Sequence, residues 1–411
     1  MAAPAAETGP RAAPDTGARR TVLMLATCQA LAMTGMTIVA TTASIVGSIL
    51  APDRALSTLP IAVQMAGMMT ATIPAALLMA RIGRRPGFLI GTALGATGAT
   101  LATIAIFQAN FVLFCLGTFL LGTYNGVAQQ YRFAASEVAG EAFRSKAISL
   151  VLAGGVVSAI FGPEIAKWSS DLFAPIVFAG CYVAIVGLCL AAATLLCFIR
   201  LPKPPPPVLR AQGRPLAEIA SQPTFIAAVI AAMVGYGVMS LVMTATPIAM
   251  LDCGHAFTDA AFVIQWHVLG MYAPSFVTGH LIARFGETRI LLTGAALLLL
   301  CCAINLVGIA VVNFWAANVL LGVGWNFLFI GGTSLLTRTY RPEERGKAQA
   351  LNDFLIFGTV AVSAFASGAL LSGVGWAMVQ IAMIPFVVAA AGVVLWWRRQ
   401  MPAPAPRYAG S

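Results

Sequence analysis

The sequence predicts an all-α membrane protein of twelve transmembrane helices in two pseudo-symmetric six-helix bundles, and three observations predict it. Of 411 residues, 59% are hydrophobic and only 9% are charged, against roughly 25% charged residues in soluble domains. The apolar residues gather into twelve runs of roughly 20 residues or more, the length that crosses a bilayer. A short basic turn, Ala76-Leu-Leu-Met-Ala-Arg-Ile-Gly-Arg-Arg85, returns about 200 residues later as Gly279-His-Leu-Ile-Ala-Arg-Phe-Gly-Glu-Thr288. Each copy is wedged between two apolar runs, as in a duplicated unit.

In chain order the spans fall at 21–48, 57–80, 87–107, 111–136, 145–166, 174–200, 223–250, 257–283, 290–311, 314–338, 347–371 and 376–397. Residues 1–20 lack the apolar core of a signal peptide and are expected as a disordered cytoplasmic tail. Residues 21–200 form the first six-helix bundle and 223–397 the second, followed by a cytoplasmic tail over 398–411. Between the bundles, 201–222 holds the run Leu201-Pro-Lys-Pro-Pro-Pro-Pro-Val-Leu-Arg210, which proline keeps extended. Prolines inside the spans do not argue against helix, because neighbouring helices satisfy the freed carbonyls.

Charge sets the orientation. With the N-terminus in the cytoplasm, only Arg54 and Lys167 of the 24 Lys and Arg residues fall on the outer side. Such a positive-inside bias places both termini in the cytoplasm of a multi-pass inner-membrane protein, with the lipid bilayer as its main partner. The net charge of +10 is spread between spans and forms no basic face, which excludes nucleic acid. Seven of the eight cysteines lie in apolar runs without zinc spacing, so they read as small hydrophobes, and no metal or cofactor is expected.

The repeat extends beyond the basic turn. Leu120-Leu-Gly-Thr-Tyr-Asn125 matches Leu320-Leu-Gly-Val-Gly-Trp-Asn326 apart from one inserted residue, and Arg144-Ser-Lys-Ala147 matches Arg345-Gly-Lys-Ala348. These residues resemble the major facilitator superfamily of secondary transporters, whose signature after the second helix reads Gly-x-Leu-x-Asp-Arg-x-Gly-Arg-Arg. Leu78, Arg81, Gly83, Arg84 and Arg85 match in the first copy, and Gly279, Leu281, Arg284 and Gly286 in the second.

The resemblance implies twelve helices around a central site, alternating access, and a cytoplasmic gate at Arg81, Gly83, Arg84, Arg85, Arg284 and Gly286. The signature's acid is Ala80 in one copy and Ala283 in the other. A substitute lock would have to join Arg81 or Arg84 to another acid or to a helix C-terminus. Gly162-Pro163 in span five partly resembles the motif of proton-driven antiporters, whereas Gly117 stands near the intramembrane arginine of many drug exporters.

Polar residues within apolar helices are the markers of a substrate site. Asn125, Gln129 and Arg132 recur on one face of span four, beside Tyr124 and Ser136. They form either a polar substrate wall or, for Arg132, a snorkelling headgroup contact. Five tryptophans sit at span ends, but Trp266 and Trp325 sit mid-span, where they either stack on an organic substrate or pack. Near them lie Gln265, His267 and Asn326; His267 is a proton carrier or an interhelical hydrogen-bond partner. Asp353, about two turns inside span eleven, is the first proton-coupling candidate, with Glu137 as a further acid in that role, Arg132 as an ion-pair partner and a gate or cap as the structural alternative. Gln29, Thr37, Gln64, Tyr236, Ser240 and Thr244, with Met33, Met36, Met239 and Met243, add a further lining.

The sequence therefore predicts a monomeric secondary transporter of a small organic molecule, proton-coupled and exporting in the first reading. Uptake of an aromatic or vitamin-like metabolite is the alternative, favoured by the amides of Asn125, Gln129, Gln265 and Asn326. A ligand sensor without transport would carry the same signature. An enzyme is excluded by the lack of nucleophile, zinc-protease and nucleotide-binding motifs.

Overall fold

The computed structural model describes residues 16–139, 147, 150–151, 153–199, 201, 213–341 and 344–401. The start of the N-terminal tail, Arg144 and Lys146 of the third repeat match, the proline-rich run and the end of the C-terminal tail lie outside the described residues.

In the first half, α1 (Thr16–Leu50) is followed by a 3-10 turn (Arg54–Leu56), α2 (Leu59–Ile82), α3 (Arg84–Phe107) and α4 (Phe111–Ala128). Then come α5 (Tyr131–Val138), α6 (Gly154–Ser169) and α7 (Ala179–Cys197). A short α8 (Leu216–Ala220) leads into the second half: α9 (Pro223–Asp252), α10 (Phe257–Tyr272), α11 (Ser275–Phe285), α12 (Glu287–Val307), α13 (Val311–Leu336) and α14 (Arg345–Gln400).

Among the described residues nine helices are long and apolar enough to cross a membrane, and α10 with α11 makes a tenth, bent by 44°. The apolar part of α14 alone is 54 residues, about 80 Å of helix against a hydrocarbon core of about 30 Å. It has to turn back, and it does so at Gly375, whose φ of 81° is open to glycine and strained for other residues. The break falls between the two predicted spans 347–371 and 376–397. With α6, whose preceding stretch is outside the described residues, the spans total twelve.

Two predicted spans are divided. Span eight breaks at Pro274, which offers no N–H and whose ring crowds the carbonyl one turn earlier. Span four breaks at Gln129–Gln130 into α4 and α5.

The duplication is visible in backbone contacts. A Cβ on Gly122 of α4 would sit 1.9 Å from the Gln64 carbonyl oxygen of α2, and one on Gly322 of α13 would sit 2.4 Å from the His267 carbonyl of α10. Only glycine allows either helix pair to touch backbone to backbone. The basic turns match as well: Gly83 and Gly286 reverse the chain at φ values of 95° and 81°.

Across the seam, α2 packs on the first leg of α14, α6 on α10, and α1 on α9. Arg54 pairs with Asp252, Phe178 meets Phe257 edge-on at 4.9 Å, and the Gly368 N–H donates to the Thr58 hydroxyl at 3.0 Å. These ties gather at the end of the bundle that carries Arg54.

Candidate functional site

A cavity of about 60 Å³ opens between the halves, midway along the helices that wall it. From the first half it is walled by Met33, Met36 and Thr37 of α1 and Met65 of α2; from the second by Tyr236, Met239 and Ser240 of α9 and by Met271 and Tyr272 of α10. Thioether side chains are unbranched and polarisable, so such walls fit flat and irregular guests alike.

Behind Tyr236 stands an aromatic cluster. Trp325 of α13 stacks on Phe329 at 5.0 Å with an interplanar angle of 10°, because the two are one helical turn apart. Tyr236 meets Trp325 edge-on at 5.2 Å and Phe329 at 5.5 Å, and Tyr272 meets Trp325 at 6.1 Å. Trp325 is 4% exposed, and its indole N–H has no hydrogen-bond partner among the described residues. A buried indole N–H ordinarily finds a partner; this one stands behind the cavity wall formed by Tyr236 and Tyr272.

The predicted site residues divide sharply. Tyr236 lines the cavity and Trp325 supports it. Trp266 does not join them: it is 38% exposed and makes edge contacts with Phe262 and Trp315. Asn326 is also taken away from any substrate, since its amide donates to the Met271 carbonyl and the Ser275 hydroxyl, each at 2.7 Å, and accepts from Thr278 at 2.6 Å. It thereby satisfies the polar groups of the α10–α11 break.

His267 is fully buried in the second half, its Nδ1 2.9 Å from the Asn318 carbonyl. A carbonyl only accepts, so Nδ1 carries the proton and the ring serves as an interhelical donor. Gln265 donates weakly to the Ile160 carbonyl across the seam at 3.4 Å.

In span four, Tyr124 turns into the first bundle, where a Cβ on Gly95 would sit 2.6 Å from its ring. Asn125 is 6% exposed beside Gln64, Gln129 caps α4 half-buried, and Gln29 of α1 is buried. Arg132 lies with its guanidinium 4.8 Å from the Phe133 ring centre, and it is the charge that acts on Asp353 across the seam. Asp353 accepts from the Asn352 amide at 3.0 Å.

Glu137 is held by a base of its own half. It meets Arg84, with Nε to Oε2 at 2.6 Å, so this acid holds the basic turn that has alanine where the signature has aspartate. Arg85 donates to the Leu196 and Cys197 carbonyls at 3.1 and 2.7 Å, closing the C-terminus of α7. Arg284 lies over Phe285 at 5.3 Å, and Arg81 is exposed.

Tyr272, Phe329 and Met271 escaped the sequence reading. Phe329 was accessible to it as the residue one turn beyond Trp325; Tyr272 gave no signal beyond its place just before Pro274.

The family model of the Major Facilitator Superfamily matches residues 25–265 and 229–411. The chain belongs to this superfamily. Among its MFS relatives, the riboflavin transporter RfnT of Brucella anthropi is 43% identical over 90% of this chain and 94% of its own length. The MFS-type transporter YddS of Bacillus subtilis is 27% identical over 87% of this chain and 86% of its own. In three dimensions the MFS fold here matches a bacterial homologue of the lysosomal transporter Spinster, crystallised inward-facing and occupied, with a TM-score of 0.67 at 16% identity. That match covers 94% of this chain and 98% of the other. The protein is a multi-pass secondary transporter, not an enzyme.

Proposed function

We propose that this transporter imports a planar heteroaromatic vitamin, riboflavin or a close flavin analogue, by alternating access. The observation that carries the reading is the aromatic cluster of Tyr236, Tyr272, Trp325 and Phe329 behind a methionine-walled cavity. A flat ring gains stacking and dispersion against such a wall. Identity of 43% with a riboflavin transporter across nearly its whole length supports the same substrate class, and it favours uptake over the export expected first. Gly162-Pro163, which motivated export, packs against Thr37 of α1 inside the first half.

Both termini face the cytoplasm in this reading, as the distribution of Lys and Arg supports, which makes the Arg54 end the outer one. Asp353 takes up the coupling proton, with Arg132 of the other half as the charge that answers its ionisation. Uptake of labelled riboflavin into cells lacking their own flavin synthesis tests the proposal. Saturable accumulation that collapses with the proton gradient is expected; reduced accumulation relative to empty cells would assign export instead.

A further inference from the structure

Tyr272 belongs to the second half, yet its ring is seated against the first. A Cβ on Gly155 of α6 would lie 2.7 Å from the Tyr272 Cγ and 2.8 and 3.0 Å from its two Cδ atoms. Carbon atoms that are not bonded to one another rest at about 3.5 Å or more, so the contact exists only because residue 155 has no side chain. The atoms it would strike are the base of the ring. Their place follows from the backbone and χ1, so they cannot swing clear as the tip of a flexible side chain would.

The backbone that carries the ring is pinned as well. The Asn326 amide of α13 donates to the Met271 carbonyl at 2.7 Å, one residue before Tyr272, and α10 ends at Tyr272 itself. The notch also lies in register with the rest of the seam. Gly155 and Ala159 are one turn apart on α6, and Ile264, Val268 and Tyr272 follow at one-turn steps on α10. Ala159, Ile264 and Val268 form one buried cluster, against which Tyr272 packs. On its other side the ring meets Trp325 and lines the cavity beside Tyr236.

We infer that Gly155 is a positioning residue for the substrate: it supplies the notch in the first half that sets where the Tyr272 ring of the second half stands in the cavity wall. The inference rests on the flavin reading for its ligand and adds a residue outside the lining that shapes the site. A methyl group at position 155 leaves the ring two ways out. One is a different χ1, which takes it away from Trp325; the other is a wider seam between α6 and α10. Both change the face offered to a planar guest.

The test is a double-mutant cycle on the purified full chain, with riboflavin as the probe, binding read by quenching of flavin fluorescence and stability by thermal melting. Gly155→Ala is expected to raise the Kd for riboflavin by about fivefold and to lower the melting temperature. Tyr272→Ala weakens binding by itself but empties the space beside the notch, so adding Gly155→Ala to it should cost nothing more in either measurement. Wild-type affinity in Gly155→Ala overturns the assignment, and so do losses of the same size with and without the ring, which would mean that Gly155 acts through α6 alone. If Gly155→Ala fails to fold, the double variant is expected to fold, and its failure overturns the notch. A wild-type protein that binds no riboflavin overturns the flavin reading and the part of Gly155 in it; the seating of Tyr272 is then judged by melting alone, where additive losses overturn it.

Discussion

Arg84 closes its guanidinium fork on Glu137, and the equivalent positions in the second half hold the same contact with its charges exchanged. The internal repeat aligns Arg84 with Glu287 and Glu137 with Arg338, and Glu287 pairs with Arg338. What the duplication preserved is a clasp between the third and fourth spans of each half, independent of which helix supplies the acid. Arg84→Glu or Glu137→Arg alone places like charges in contact and should lower thermal stability. The double exchange should restore it. The coupling energy expected for a pair with Glu137 37% exposed and Arg84 13% exposed is on the order of 1 kcal/mol, measured by a double-mutant cycle on melting of the detergent-solubilised protein.

Gly122→Val and Gly322→Val should destabilise the folded protein markedly. Each inserts a side chain where a Cβ alone would lie 1.9 or 2.4 Å from a carbonyl oxygen of the facing helix. The helices have to separate, at a cost of about 1–3 kcal/mol or more for overpacking. A lowered melting temperature and a diminished monodisperse peak in size-exclusion chromatography are the expected readouts.

Trp325→Ala should weaken riboflavin binding by about two- to tenfold, corresponding to the ~0.5–1.5 kcal/mol of an aromatic pair. Trp266→Ala should leave it unchanged, because that ring is exposed and apart from the cavity. Equal effects from the two substitutions would contradict the placement of the site.

That contrast marks how far the sequence was legible. Spans, duplication, the turns at Gly83 and Gly286 and the seam between halves all follow from run length and repeat. Trp266 and Trp325 could not be separated, because helices apolar toward both lipid and core carry almost no periodic signal to say which way a side chain faces. The same holds for Tyr124 and Asn326, whose neighbours inside each bundle come from distant stretches of chain. Tyr236, which lines the cavity, stood out because a polar atom inside an apolar run needs no facing information.

Asp353→Asn should retain riboflavin binding and counterflow while losing accumulation driven by a pH gradient. Full gradient-driven accumulation in reconstituted vesicles would remove Asp353 from the coupling role.

Glu344 offers a pH test outside the membrane spans. Its carboxylate is fully buried and accepts from the Arg214 backbone N–H at 2.8 Å, from the Arg214 guanidinium at 3.0 and 2.7 Å and from the Arg341 N–H at 3.0 Å. These donors hold it well below the usual carboxylate range, the Arg214 side chain contributing most. Because the folded value is depressed, the stabilisation is fully present above the ordinary glutamate pKa of about 4.3 and is lost as pH falls toward the folded value. Glu344→Gln should therefore lower the melting temperature at pH 7, and the difference from wild type should shrink only in strongly acidic buffer.

The glycine contacts of α2 with α4 and of α10 with α13 make each half a stiff plate, while the cavity between the plates is walled largely by methionine. Substitutions at the seam thus meet side chains that can yield, whereas substitutions inside the plates meet backbone that cannot. Selection can therefore refit the cavity to a new ring system one residue at a time without disturbing the scaffold, so substrate range is the cheapest property of this protein for evolution to change.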